Sequence, residues 1–249
     1  MPSVKLFSAL IILSITLISG LYPFFKKMTS KENFQFPVGE ALSCGVFLGA
    51  GLMHMLGDAC HQFYAQHVNY PVAFLLAGLT FLLLLLLEHV GKEIYSHEGS
   101  SNTAFPILAT IMLSIHSFLA GTALGLSSSL AITMMILLAI VAHKWAASFS
   151  LAVQITKSPL RLRSGIVLFV IFSLMAPLGV VFGQAISDSL VHLPLLAPSL
   201  MAMAAGTFIY LGALHGLDRA VLVQQCCNLK LFYFVIAGFM IMAVVATWT

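Results

Sequence analysis

The chain has 249 residues, of which 60% are hydrophobic and 8% charged, with a mean hydropathy of +1.04 and a formal net charge of +3. Such values exclude an ordinary water-soluble domain, and so sparse a charge gives no reason to expect a nucleic-acid partner. Four cysteines, Cys44, Cys60, Cys226 and Cys227, lack CxxC spacing and support neither a zinc finger nor a disulfide framework.

A hydrocarbon core about 30 Å thick takes roughly 20 apolar residues per helical span. The first such stretch, 4–25, has Lys5 ahead of it like a signal peptide, but no small-residue cleavage pattern precedes Tyr22, Pro23 and Lys26, so it is read as a span. Further stretches follow at about 37–60, 71–90, 104–126, 130–156, 162–187, 195–217 and 229–248, separated by short runs of turn formers and charges. The expectation is an all-α polytopic membrane protein, a single transmembrane domain over 1–249 with eight helices in the lipid bilayer. Three spans, a central polar pair and three more spans would suit an inverted-repeat transporter.

Lysine and arginine collect on cytoplasmic loops. Lys26, Lys27, Lys31, Lys92, Lys157, Arg161, Arg163, Arg219 and Lys230 all fall on one side of an eight-span chain, with Lys5 alone opposite and Lys144 inside the membrane. Both termini are therefore expected outside the cytoplasm, in a plasma or bacterial inner membrane.

Ionisable groups inside a bilayer are costly and mark function by default. Counted from the ends of their spans, His116 lies roughly 18 Å and His143 roughly 20 Å deep at 1.5 Å per residue. The short serine linker at 127–129 makes spans four and five antiparallel neighbours, so these two imidazoles share a depth near the midplane and can converge on a dication. Each alone reads equally well as an interior histidine bonded to a carbonyl. Small residues surround them: Ala120, Gly121 and Gly125 on span four, Ala146, Ala147 and Ser148 on span five. Lys144, beside His143, either repels a second cation or pairs structurally. His54 and Asp58, spaced i and i+4 toward the outer end of span two, suggest an entrance. Glu88 with His89, and His215 with Asp218, end spans three and seven on the other face and suggest an exit, or are solvated helix ends.

Five segments in order carry a family resemblance: GVFLGAGLMHMLGDA in span two, HSFLAGTALGL in four, HKWAASFSLAVQ in five, APLGVVFG in six and AGTFIYLGALHGLDR in seven. Together they resemble the Zrt/Irt-like (ZIP) family, in the branch with His-Lys on the fifth span. The resemblance implies a ZIP-like 3+2+3 bundle with inverted repeats. It also implies transport toward the cytoplasm of divalent metal, zinc first, with iron, manganese or cadmium as alternatives, by alternating access through a site between spans four and five. His116, Ser117 and His143 fall on metal-site positions, and Lys144 where other members place a second-metal ligand. Ala120 and Ala147 stand where glutamates are usual, and His215 replaces an acidic residue. The loop between spans three and four, with only His97, lacks the family's long histidine-rich tract.

The chain carries no HExxH, nucleophile elbow or intramembrane catalytic pair, so no enzyme activity is expected. No cofactor is expected besides the transported divalent metal, zinc first, and a homodimer is left open. The missing glutamates raise an alternative: a non-transporting scaffold or regulator of ZIP fold, without those metal-site carboxylates.

Overall fold

A computed structural model of the chain describes residues 2–29, 36–96, 101–187, 193–216 and 229–248, all within helices or short connections. The helices are α1 (Pro2–Thr29), α2 (Pro37–Ala65), α3 (Val72–Ser96), α4 (Ser101–Leu126), α5 (Leu130–Lys157), α6 (Leu162–Ile186), α7 (Leu196–Tyr210) and α8 (Leu229–Val245). Among the described residues seven are long and apolar enough to cross a membrane, and α8 has 17 residues, the lower limit for a span.

The punctuation that separates the helices is local. Ser129 caps α5 by accepting a hydrogen bond from the Ile132 amide at 3.2 Å. Proline stands at the start of α2, whereas its far end stops where His67 takes a positive φ of 60°. The helix runs on to Ala65, past the expected boundary near 60, because no breaker intervenes.

Two regular helices are interrupted by π-helical turns, at Ala50–Met55 within α2 and at Leu211–Gly216 after Tyr210 of α7. Each inserts a wide turn that re-aims the side chains on it, a feature frequent at functional sites. The turn in α2 packs on α7, and the turn after α7 packs on α2.

Packing between helices follows one symmetry rule. Matching α1 to α6, α2 to α7, α3 to α8 and α4 to α5 exchanges the two major contacts α4 with α6 and α5 with α1, then α2 with α8 and α7 with α3, then α4 with α7 and α5 with α2. The two π turns exchange as well. Because the matched helices of the two triples lie five passes apart and those of the central pair one, both odd numbers, the second triple runs opposite to the first: a 3+2+3 inverted repeat.

Glycine sets the closest approach. Cβ atoms at Gly121 and Gly125 of α4 would fall on the carbonyls of Ala176 and Val180, and those at Gly179 and Gly183 of α6 on the carbonyls of Phe118 and Thr122. Small residues on both helices thus let backbone meet backbone, which compensates for the lack of a hydrophobic drive between helices in lipid. Large apolar side chains such as Phe7, Leu82, Leu86 and Val167 are turned outward. The most enclosed spans are α2, α4 and α7, and they surround the polar interior with α5.

Candidate metal pathway

His116 projects from α4 and His143 from α5, and their rings approach to 5.9 Å between centroids at 75°. Both are buried, 2% and 1% exposed. Two imidazoles sharing a zinc at about 2.0–2.1 Å per Zn–N bond have centroids on the order of 5–6 Å apart, the spacing these rings have. His116 is fixed in place from α7: its Nδ1 lies 2.8 Å from Thr207 Oγ1 and 3.2 Å from the Ala204 carbonyl. That leaves Nε2 for a ligand. His143 has the Ala139 carbonyl one turn back as its backbone partner, but its Nδ1 makes no well-formed hydrogen bond.

Phe208 of α7 closes the group. It stacks on His116 at 3.8 Å and 15°, and meets His143 edge-on at 4.9 Å and 89°. The GTF stretch marks this position only as apolar; nothing in its composition announces a ring packed against two histidines.

Lys144 donates from Nζ to Ser117 Oγ at 2.7 Å and lies 4.3 Å from the centre of the Phe172 ring. Inserting such a side chain at a bilayer centre costs about 2.5–3.5 kcal/mol. A hydrogen bond from a charged group recovers about 1.5–3 kcal/mol and a desolvated cation–π contact up to about 2 kcal/mol, so the two partners offset the cost. Ser117, placed by resemblance at a metal position, is committed to Lys144 here. Ala120 and Ala147 are buried in apolar clusters, and among the described residues no group of three or more His, Cys, Asp or Glu side chains could hold a metal.

A cavity of about 670 Å³ opens at the end of the bundle away from Lys157, Arg161 and Arg163. His54, Asp58, His61 and Gln62 of α2 line it, with Met135 of α5 and Met201 of α7. His54 Nδ1 pairs with Asp58 Oδ2 at 2.8 Å. His61 was not singled out from sequence, although its position seven residues after His54 repeats the helical face. Ala123, two turns along α4 from His116, also lines this cavity, so the cavity leads toward the histidine pair.

At the opposite end, Glu88 is not the solvated helix terminus weighed from sequence: it is 5% exposed and accepts a hydrogen bond from the Tyr210 hydroxyl. Tyr210 sits immediately before the second π turn, so this bond ties α3 to α7 where α7 changes pitch. The His215 side chain, Asp218, Lys31, His97 and Arg219 lie outside the described residues. Lys5, alone among the basic residues on its side, is drawn inward, and its Nζ meets the Gly125 carbonyl at 2.6 Å near the C-terminus of α4, the end where a cation is favoured.

An all-helical bundle with apolar side chains turned outward and polar groups enclosed is the architecture of an integral membrane protein. The family profile described as "ZIP Zinc transporter" matches residues 3–110 and 100–246. The chain belongs to the ZIP family. It is similar to Zinc transporter ZIP2 of Mus musculus and of Homo sapiens, each 28% identical over 98% of this chain and 98% of the relative. It is also similar to Zinc transporter 11 of Arabidopsis thaliana, 28% identical over 99% of this chain and 85% of the relative.

Proposed function

We propose that the protein carries zinc or a related divalent cation across the membrane toward the cytoplasm, by alternating access through a site between α4 and α5. The observation that carries this reading is the pair of buried rings, His116 and His143, held 5.9 Å apart on neighbouring helices below a polar cavity. Family membership and the zinc-transporter names of the relatives support the choice of metal. The basic residues Lys26, Lys27, Lys157, Arg161 and Arg163 support the cytoplasmic assignment of the end opposite the cavity.

In this reading His54 and Asp58, with His61, receive the ion in the cavity. Asp58 is the one carboxylate among the described residues that line it and lowers the cost of shedding water. His116 and His143 replace two waters at the midplane, with solvent completing the shell that Ala120 and Ala147 do not fill. Phe208, packed on both rings, is the side chain whose movement opens the pair. The two π turns, each seated on the other's helix, give α2 and α7 places at which pitch can change without breaking the bundle.

Purified protein in liposomes is expected to take up zinc, and His116→Ala or His143→Ala is expected to reduce uptake to the level of empty vesicles. Uptake unaffected by both substitutions refutes the site. A second reading, a ZIP-fold scaffold without transport, is favoured by the absence of a three-ligand group among the described residues. Ala120→Glu separates the two: an inert parent that gains uptake with this change is a scaffold, whereas an active parent is a transporter.

A further inference from the structure

Below His143, toward the basic end of the bundle, α5 presents one stripe at heptad spacing: His143, Ala147, Ser150, Gln154 and Lys157. The neighbouring face of α2 carries Glu40 and Ser43 on the stripe that leads up to His54. The stripes meet at their ends, where Lys157 Nζ lies 2.7 and 2.9 Å from the two carboxylate oxygens of Glu40. Glu40 is 8% exposed and Lys157 35% exposed, so the carboxylate belongs to the seam while the ammonium reaches in from solvent.

Two further oxygens, from residues on these two stripes, lack partners. Ser43 Oγ and Gln154 Oε1 are buried without any hydrogen bond, although their residues are 1% and 8% exposed. Gln154 spends its amide nitrogen on Ser150 Oγ at 3.3 Å, which turns the carbonyl oxygen elsewhere. Leaving buried acceptors unpaired costs about 1–3 kcal/mol each. A bidentate carboxylate, an amide oxygen and a hydroxyl are the donors that a hard or borderline dication takes.

We propose that Glu40, Gln154 and Ser43 form an oxygen-lined site for a divalent cation at the basic end of the α2–α5 seam, and that the Lys157 ammonium occupies it as a tethered substitute in this conformation. A dication binds by displacing Lys157, whose exposed stem lets the ammonium swing into water while the charge on Glu40 stays neutralised. Lys27 does not compete for the carboxylate, because its Nζ is held by the Thr156 carbonyl at 2.6 Å. Oxygen donors hold late transition metals less firmly than imidazoles do, so the site would receive an ion from the histidine pair and release it, as conduction through successive sites requires. That role in release rests on the transport reading; the capacity to hold a dication does not.

Equilibrium dialysis of purified protein against zinc, and separately against manganese, tests the site without any flux. Lys157→Met is expected to bind one more dication per chain than the parent, and Lys157→Met combined with Glu40→Gln to return to the parent's stoichiometry. Adding His143→Ala to Lys157→Met should leave the extra ion in place, which distinguishes this site from the midplane one. Lys157→Gln carries the same expectation and serves if methionine at 157 impairs folding. A folded Lys157 variant with the parent's stoichiometry for both metals overturns the proposal.

Discussion

At the residue scale, the histidine pair depends on groups that are not ligands. Thr207 and the Ala204 carbonyl hold His116 Nδ1 and thereby choose which ring nitrogen faces the gap. Partners of this kind typically control metal affinity by 10–100-fold. Thr207→Val keeps the shape and removes the hydroxyl, so zinc affinity measured by calorimetry should fall by roughly that factor with the thermal midpoint little changed. Equal affinity in the variant would mean that the carbonyl alone orients the ring. The depth of the two histidines is legible in sequence because helical rise converts residue number into height. Their coupling through Phe208 is not, since a phenylalanine in an apolar span has no compositional mark. Glu88 illustrates the opposite error: charge at a helix end suggests solvent, but Tyr210, 122 residues away, supplies the partner that buries it.

At the element scale, the position of His116 is set by how closely α4 approaches α6. The carbonyl of Ala176 occupies the space that a side chain at residue 121 would need, and backbone cannot yield as a flexible side chain can. Gly121→Ala should destabilise the protein by about 1–3 kcal/mol, as overpacking usually does, and lower its thermal midpoint in detergent. Gly78 on α3 is the control: a Cβ there meets nothing within 4 Å, and alanine should be neutral or stabilising by up to about 1 kcal/mol from helix propensity. If both variants melt alike, the glycine contact does not set the spacing. Sequence discloses apolar stretches and small-residue faces because both are compositional. It does not disclose the π turns at Ala50–Met55 and Leu211–Gly216, because one extra residue in a turn leaves hydropathy unchanged and arises from packing between α2 and α7.

At the scale of the whole molecule, the inverted repeat explains why the polar residues converge. The exchange that maps α4 onto α5 also maps α2 onto α7, so His116 and His143 come from symmetry-related helices and the flanking walls from another such pair. A site on the pseudo-twofold is reached equally from either end, which is the geometric condition for alternating access. The two ends are chemically unlike: a cavity lined by His54, Asp58 and His61 lies at one, and Glu40 sealed by Lys157 at the other. X-ray absorption at the zinc edge on metal-loaded protein tests whether one dication sits between the two imidazoles. Two imidazole nitrogens at about 2.0–2.1 Å are expected, reduced to one by His143→Ala; a zinc shell without imidazole, or one indifferent to both histidines, would overturn the assignment.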